Sequence, residues 1–238
     1  MNQLFINTEK TKYILFKKPH RNIVENVISY QGHEIKRVNC AKFLGLYLEE
    51  NLHWNEHINF VIKKISPVIR MMSRQQNVLT ENAKKCLYYG LIQSHLLYMI
   101  VIYGTATNSR LEPIYILQNR AIKMLYKINP RTLTDDVYSQ TGFLNFTKLG
   151  IFSTAVFGYS VVNGYWLSQT RFIINTEIHK YTRQANQLHS QQIYSSKYGI
   201  QGVYNNICQI YNSLPDEVVD SQTPYHFKRK LKEWLRNG

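Results

Sequence analysis

The sequence predicts an α+β chain that is mostly α, with a small antiparallel β segment followed by a helical domain. Three observations predict it. Residues 1–50 hold short apolar runs punctuated by Gly and Asn, the pattern of strands and turns. From Trp54 the period becomes helical, with Ile58, Val61, Ile62, Ile65, Val68, Ile69 and Met72 on one face. Capping signals then recur ahead of further apolar periods, at Thr80, at Ser109 with Glu112, and at Thr134.

The elements follow in order. Leu4 to Tyr13 contains an Asn-x-x-Lys-Thr element (Asn7, Lys10, Thr11) that runs into the short apolar strand Tyr13-Ile14-Leu15-Phe16. Val27 to Tyr30 and Ile35 to Val38 flank Gln31-Gly32, which reads as a hairpin. Lys42 to Leu48 makes the next strand, with Gly45 where a neighbouring backbone approaches closely. Glu49-Glu50-Asn51 then turns the chain into the helix that Trp54 starts, and Pro67 should kink or split that helix. Thr80 caps a long helix towards Tyr103. Ser109 and Glu112 form a capping box ahead of Ile114, Leu117, Ala121 and Leu125. Thr147 to about Tyr165 reads as a further buried helix.

Residues 167–202 are rich in Gln, Ser, Tyr and His with little apolar period, so they read as a polar linker. Residues 203–238 form a basic C-terminal segment whose last helix, Pro224 to Leu235, sets Lys228, Arg229, Lys230 and Lys232 beside a narrow apolar stripe. That stripe is wide enough to dock on the helical domain but is a small part of the total apolar surface, so the tail is expected to add affinity for a partner without holding the fold together. The chain thus divides at 1–50, 51–166, 167–202 and 203–238.

Composition bounds the partners. Hydrophobic residues at 44% and charged residues at 18% describe a folded chain. Twenty-nine Lys and Arg face fifteen acids, a formal net charge of +14, which suits many weak phosphate contacts. Eighteen Tyr add side chains that pack in cores and also stack on bases. Three dispersed cysteines make neither a disulfide framework nor a zinc knuckle. Cys86 to Ala106 lacks charge, but Gln93, Ser94 and His95 at its middle favour a buried helix over a membrane span. With no secretory pattern at the N-terminus, the expected setting is intracellular, in nucleus or cytoplasm, without a membrane partner.

Two motifs invite catalytic readings. Asp135-Asp136 is the pair of acids that two-metal chemistry asks for. Behind Thr134, however, it reads as the first turn of a helix, where carboxylates complement the dipole. His53-Trp54-Asn55-Glu56-His57 has the order of a His-x-x-Glu-His metal string. A helix starting at Trp54 or Asn55 leaves His53 in the preceding turn, which separates the two rings.

In their order, several motifs resemble reverse transcriptases of non-LTR (LINE-type, jockey-like) retrotransposons, at the end of the palm and start of the thumb. They are Asn7-x-x-Lys10-Thr11, Phe43-Leu44-Gly45 with Trp54 and His57, Tyr103-Gly104, Leu117 to Ile122, Thr141 to Leu144, Tyr211 to Pro215 and Phe227 to Leu231. The resemblance implies that residues 1–50 end the palm and 51–166 form a helical thumb. It implies that Lys10 stands near the triphosphate of the incoming nucleotide, with Asn7 and Thr11 shaping its loop. Phe43, Leu44 and Gly45 would be the primer grip, a hairpin that sets the primer end by backbone contact. Lys63, Lys64, Arg70 and Arg74, with Lys228, Arg229, Lys230 and Lys232 of the tail, would face nucleic acid. Read alone, Lys10 is a solvated strand-start lysine and the thumb cations an ordinary solvated helix face.

The activity implied is RNA-templated DNA synthesis with Mg²⁺, so the partners are RNA template, DNA primer, RNA–DNA hybrid and the rest of the polymerase. The metal-binding aspartates are expected outside this chain, leaving it with no catalytic residue, no metal ligand and no cofactor of its own. A basic helical nucleic-acid-binding module is the competing class, and a decayed element without selected function a third.

Overall fold

The computed structural model describes residues 7–16, 27–75, 77–165, 172–173, 175, 187–190 and 202–237. The chain forms two compact units, residues 1–61 and 62–238, and their division falls within one helix.

Among the described residues, the first unit holds three strand pairs. β1 (Lys12–Tyr13) lies parallel to β4 (Lys36–Arg37), while β2 (Ser29–Tyr30) and β3 (His33–Glu34) form a hairpin. Gln31 and Gly32 turn that hairpin with φ of 50° and 78°, the left-handed pair that matches strand twist. β5 (Cys40–Phe43) and β6 (Leu46–Glu49) make a second hairpin, with Phe43 opposite Leu46 and Cys40 opposite Glu49. The single strand expected over Lys42 to Leu48 is therefore corrected. Leu44 and Gly45, at φ of 46° and 84°, are its turn. Ile35, Leu46, Trp54, His57 and Ile58 are buried. Arg37 closes the hairpin base by an ion pair to Glu50 at 3.1 Å.

Helix α1 (Asn55–Gln75) begins where expected and runs uninterrupted through Pro67. The split expected there does not occur. Proline forgoes its own N–H bond, and on an exposed face the carbonyl left behind is open to water. Ile65, Ile69 and Met72 form the buried stripe of its second half.

The long helix expected from Thr80 to Tyr103 is broken into pieces. Thr80 does cap α2 (Glu81–Leu87), its side chain accepting from the Ala83 N–H at 3.3 Å. A π-helical turn (Tyr88–Gln93), α3 (Ser94–Leu97) and α4 (Ile100–Tyr103) follow, with Met99 in the left-handed region at φ 58°. The run lacks charge because Tyr88, Ile92, Leu96, Ile100 and Tyr103 all turn into the core. Among the described residues, no helix is long and apolar enough to cross a membrane.

Helix α5 (Asn108–Leu125) starts before Ser109, so the capping box expected there is corrected. Thr107 occupies the cap position, and Ser109 instead hydrogen-bonds the Thr107 hydroxyl at 3.2 Å. In α6 (Thr134–Thr141), Leu133 stands at the cap and Thr134 is the first helical residue, its hydroxyl accepting from Asn119 Nδ2 at 3.1 Å.

Helix α7 (Phe146–Val162) is apolar nearly all round because it is the centre of the second unit. It packs against α3, α4, α5, α8 (Val203–Asn212) and α10 (Pro224–Asn237). Gly158 lets α8 approach, since a Cβ there would meet Ile207 Cγ2 at 3.0 Å. The short α9 (Asp216–Val219) leads into α10.

Most of residues 167–202 lie outside the described residues, so the linker reading falls there. Its described part docks on α8: Leu188 is buried, and its backbone exchanges hydrogen bonds with the Asn212 amide at 2.8 and 2.9 Å. The tail stripe docks, as its width implies. Phe227, Leu231 and Leu235 are buried, and the Phe227 ring stacks on Tyr159 at 4.2 Å. Such complete burial argues against a helix that only adds affinity, and truncation decides the point.

Candidate nucleic-acid interface

Asn7, Lys10 and Thr11 form one closed turn. The Asn7 side-chain oxygen accepts from the Lys10 N–H at 3.1 Å, and its carbonyl accepts from the Thr11 N–H at 2.9 Å and hydroxyl at 2.7 Å. Asn is suited to this because its short amide competes for nearby backbone donors. Asn7 and Thr11 therefore set the backbone at Lys10, which is exposed.

Phe43, Leu44 and Gly45 occupy the tip of the β5–β6 hairpin. Phe43 is 62% and Leu44 70% exposed, so the tip presents two apolar side chains and turn backbone to solvent. Lys42, opposite Tyr47 in the ladder, lies 4.9 Å from the Phe60 ring centroid and 5.5 Å from that of Tyr47. That places a held cation one residue from the tip, and the sequence reading missed it. The signal was available: in antiparallel register Lys42 falls beside Tyr47, and a cation over ring faces contributes about 0.5–1 kcal/mol at exposed sites.

On α1, Lys63, Lys64, Arg70 and Arg74 are exposed. Lys63, Pro67, Arg70 and Arg74 follow the four-three-four spacing of one helical stripe, roughly 16 Å long at the helical rise. The buried residues Ile65, Ile69 and Met72 lie away from it.

The tail cations divide. Lys228 and Arg229 are exposed. Lys230 Nζ donates to the Glu217 carbonyl at 2.7 Å, so one of its donors is engaged within the protein. Lys232 is half-buried, and burial followed by the nearby Arg236 charge lowers its pKa.

The described residues do not fit a polymerase Mg²⁺ site. Asp135 and Asp136 are exposed in the first turn of α6, and no group of three His, Cys, Asp or Glu among the described residues is placed to hold a metal. Asp216-Glu217, an acid pair the sequence reading passed over, is the exposed first turn of α9. His53 precedes α1 and is half-buried, whereas His57 lies inside the helix and is buried. Burial lowers the His57 pKa to about 4, so its ring is neutral at neutral pH.

Comparison with known proteins agrees with the motif resemblance. The chain is 26% identical over 145 residues, 58% of its length, to a probable RNA-directed DNA polymerase from transposon BS of Drosophila melanogaster. It is 27% identical over 123 residues, 50% of its length, to the RNA-directed DNA polymerase from mobile element jockey of the same organism. It spans 16% of the first protein and 13% of the second. No family model and no solved structure matches.

Proposed function

From a chain similar to a jockey-like reverse-transcriptase region, we propose the C-terminal part of a non-LTR RNA-directed DNA polymerase that holds template and primer. The observation that carries this is the exposed basic stripe of α1. Lys63, Arg70 and Arg74 share one face of a continuous helix whose other face is buried, in a chain of net charge +14. Such an array contacts phosphates without reading bases.

In this reading the hairpin tip of Phe43, Leu44 and Gly45 touches the primer end, and Gly lets its backbone approach. Lys10, set by the Asn7 turn, neutralises charge on the departing pyrophosphate. Lys228 and Arg229 add phosphate contacts from the tail. The two-metal carboxylates belong to another part of the longer protein, because the Asp135-Asp136 pair serves as a helix first turn. The chain by itself binds template–primer and does not extend it.

Titration of a labelled RNA–DNA hybrid across salt concentrations tests the binding. With roughly five phosphate contacts, log affinity should fall against log salt with a slope of about −4 to −5. Changing Lys63, Arg70 and Arg74 to Gln should flatten the slope by about 3. A salt-independent affinity, or a strong preference for one base sequence, contradicts the proposal. Template-dependent incorporation by the isolated chain with Mg²⁺ contradicts its second part.

A further inference from the structure

The second unit contains a cleft that neither the stripe on α1 nor the hairpin uses. It encloses about 740 Å³ between α2, the α6–α7 connection and the end of α10, and its lining is mainly polar. Three cations line it, Lys85 of α2, Lys148 of α7 and Arg236 of α10, against one acid, Asp135. The N-terminal turn of α7 forms part of the wall. Asn145 caps that helix by accepting from the Lys148 N–H at 2.9 Å, and the positive end of the helix dipole adds to the cations. Arg236 donates one Nη2 hydrogen bond to the Gly142 carbonyl at 2.9 Å, which fixes the guanidinium at the wall and leaves it other donors.

One aromatic side chain lines the cleft and supports a second that stands just outside its lining. Phe143 lines it, and Tyr89, four residues beyond Lys85, packs edge-on against Phe143 at 5.4 Å while remaining 40% exposed. Tyr126 and Tyr88 also pack on Phe143, at 5.8 and 4.2 Å, so the ring supporting Tyr89 is itself held. Cations along a groove with a held, exposed aromatic beside it are the two components that bind single strands: phosphates along the backbone and a face for a base. A pocket this large accepts a ligand of more than one nucleotide's size.

We infer that this cleft binds a single-stranded nucleic-acid segment, with phosphates between Lys85, Lys148 and Arg236 and a base stacked on Tyr89. The inference rests on the proposed nucleic-acid function and adds a second site, for unpaired strand, to a duplex-facing helix.

Fluorescence anisotropy of the whole chain with a short labelled oligouridylate, in parallel with an RNA–DNA hybrid, tests it. Lys85→Gln with Lys148→Gln should weaken single-strand binding about tenfold and leave hybrid binding within about twofold. Tyr89→Leu should weaken the single strand alone, and Tyr89→Trp should restore it, a rescue that a merely structural role does not give. Ultraviolet cross-linking of the oligouridylate should map to Tyr89 or Phe143. Single-strand affinity unchanged in the lysine variants, or a parallel loss of hybrid binding, overturns the inference. So does a cleft that takes inorganic phosphate while oligouridylate does not bind. A wild-type chain that binds hybrid but no single strand overturns this site and leaves the proposed function standing. One that binds neither overturns both.

Discussion

Tyr159 of α7 and Phe227 of α10 stack with ring centroids 4.2 Å apart and planes inclined by 19°, and the Tyr159 hydroxyl goes on to donate to the Ser221 carbonyl. One residue of the central helix thus fixes both the ring of the tail helix and the backbone that leads to it.

Phe227→Ala should therefore cost about 3–5 kcal/mol, as removal of a fully buried aromatic does. Deleting Tyr225 onward should abolish the cooperative melt of the second unit. Circular dichroism against temperature checks both, and a truncated chain with an unchanged melt would contradict the role given to the stack.

Gln118 lies buried in α5 and donates from Nε2 both to the Tyr88 hydroxyl at 2.7 Å and to the Leu144 carbonyl at 3.0 Å. Gln118→Leu keeps a side chain of similar size but strands both acceptors. It should destabilise by about 2–4 kcal/mol. Tyr88→Phe, which removes the hydroxyl acceptor and leaves Gln118 bonded to Leu144, should cost less. Urea denaturation gives the order, and the reverse order contradicts the assignment.

Leu44 holds φ 46° at the hairpin tip, a conformation that costs a non-glycine residue about 1–2 kcal/mol and that Asn tolerates better. Leu44→Asn should raise the stability of the first unit by a fraction of that cost while weakening hybrid binding. The opposite signs are informative, because a leucine kept for folding would lose stability when replaced. Thermal melts and hybrid titrations on the same variant check the pair.

His57 is 1% exposed, and burial lowers its pKa from 6.5 to about 4. The folded chain keeps the ring neutral, whereas the unfolded chain takes up a proton below about pH 6.5, so protonation favours unfolding. Stability from this group is full above pH 6.5 and drains away as pH falls towards 4, by up to about 3 kcal/mol. Denaturation midpoints at pH 7.5 and pH 4.5 should differ more for the wild type than for His57→Gln. Equal differences would contradict the burial effect.

Sequence reading reached the parts of the chain where local chemistry decides. The change of period at Trp54 is real because α1 starts at Asn55, and the Asn7 turn follows from the reach of one amide. It faltered where tertiary packing overrode local pattern. Lys42 to Leu48 looked like one strand because nothing in the apolar run announces that Leu44 accepts a left-handed φ. The stretch from Thr80 to Tyr103 looked like one helix, since Tyr98-Met99 carries no Gly or Pro to mark its break. Lys85, Lys148 and Arg236 are far apart in sequence, so a cleft that joins them has no linear signature.

The π-helical turn from Tyr88 to Gln93 has a consequence for how this region tolerates changes in length. Each such turn holds one residue more than an α-turn, the mark of a single-residue insertion absorbed without unwinding the helix. Gly90 sits inside it with open space around it, the position from which a residue is most easily removed. Removing it would convert the turn to α geometry and leave the segments on either side in phase. Ile92 and Leu96 would keep the face they now bury. The surplus residue is a reserve of length, so descendants of this chain can lose it while α3 keeps its packing.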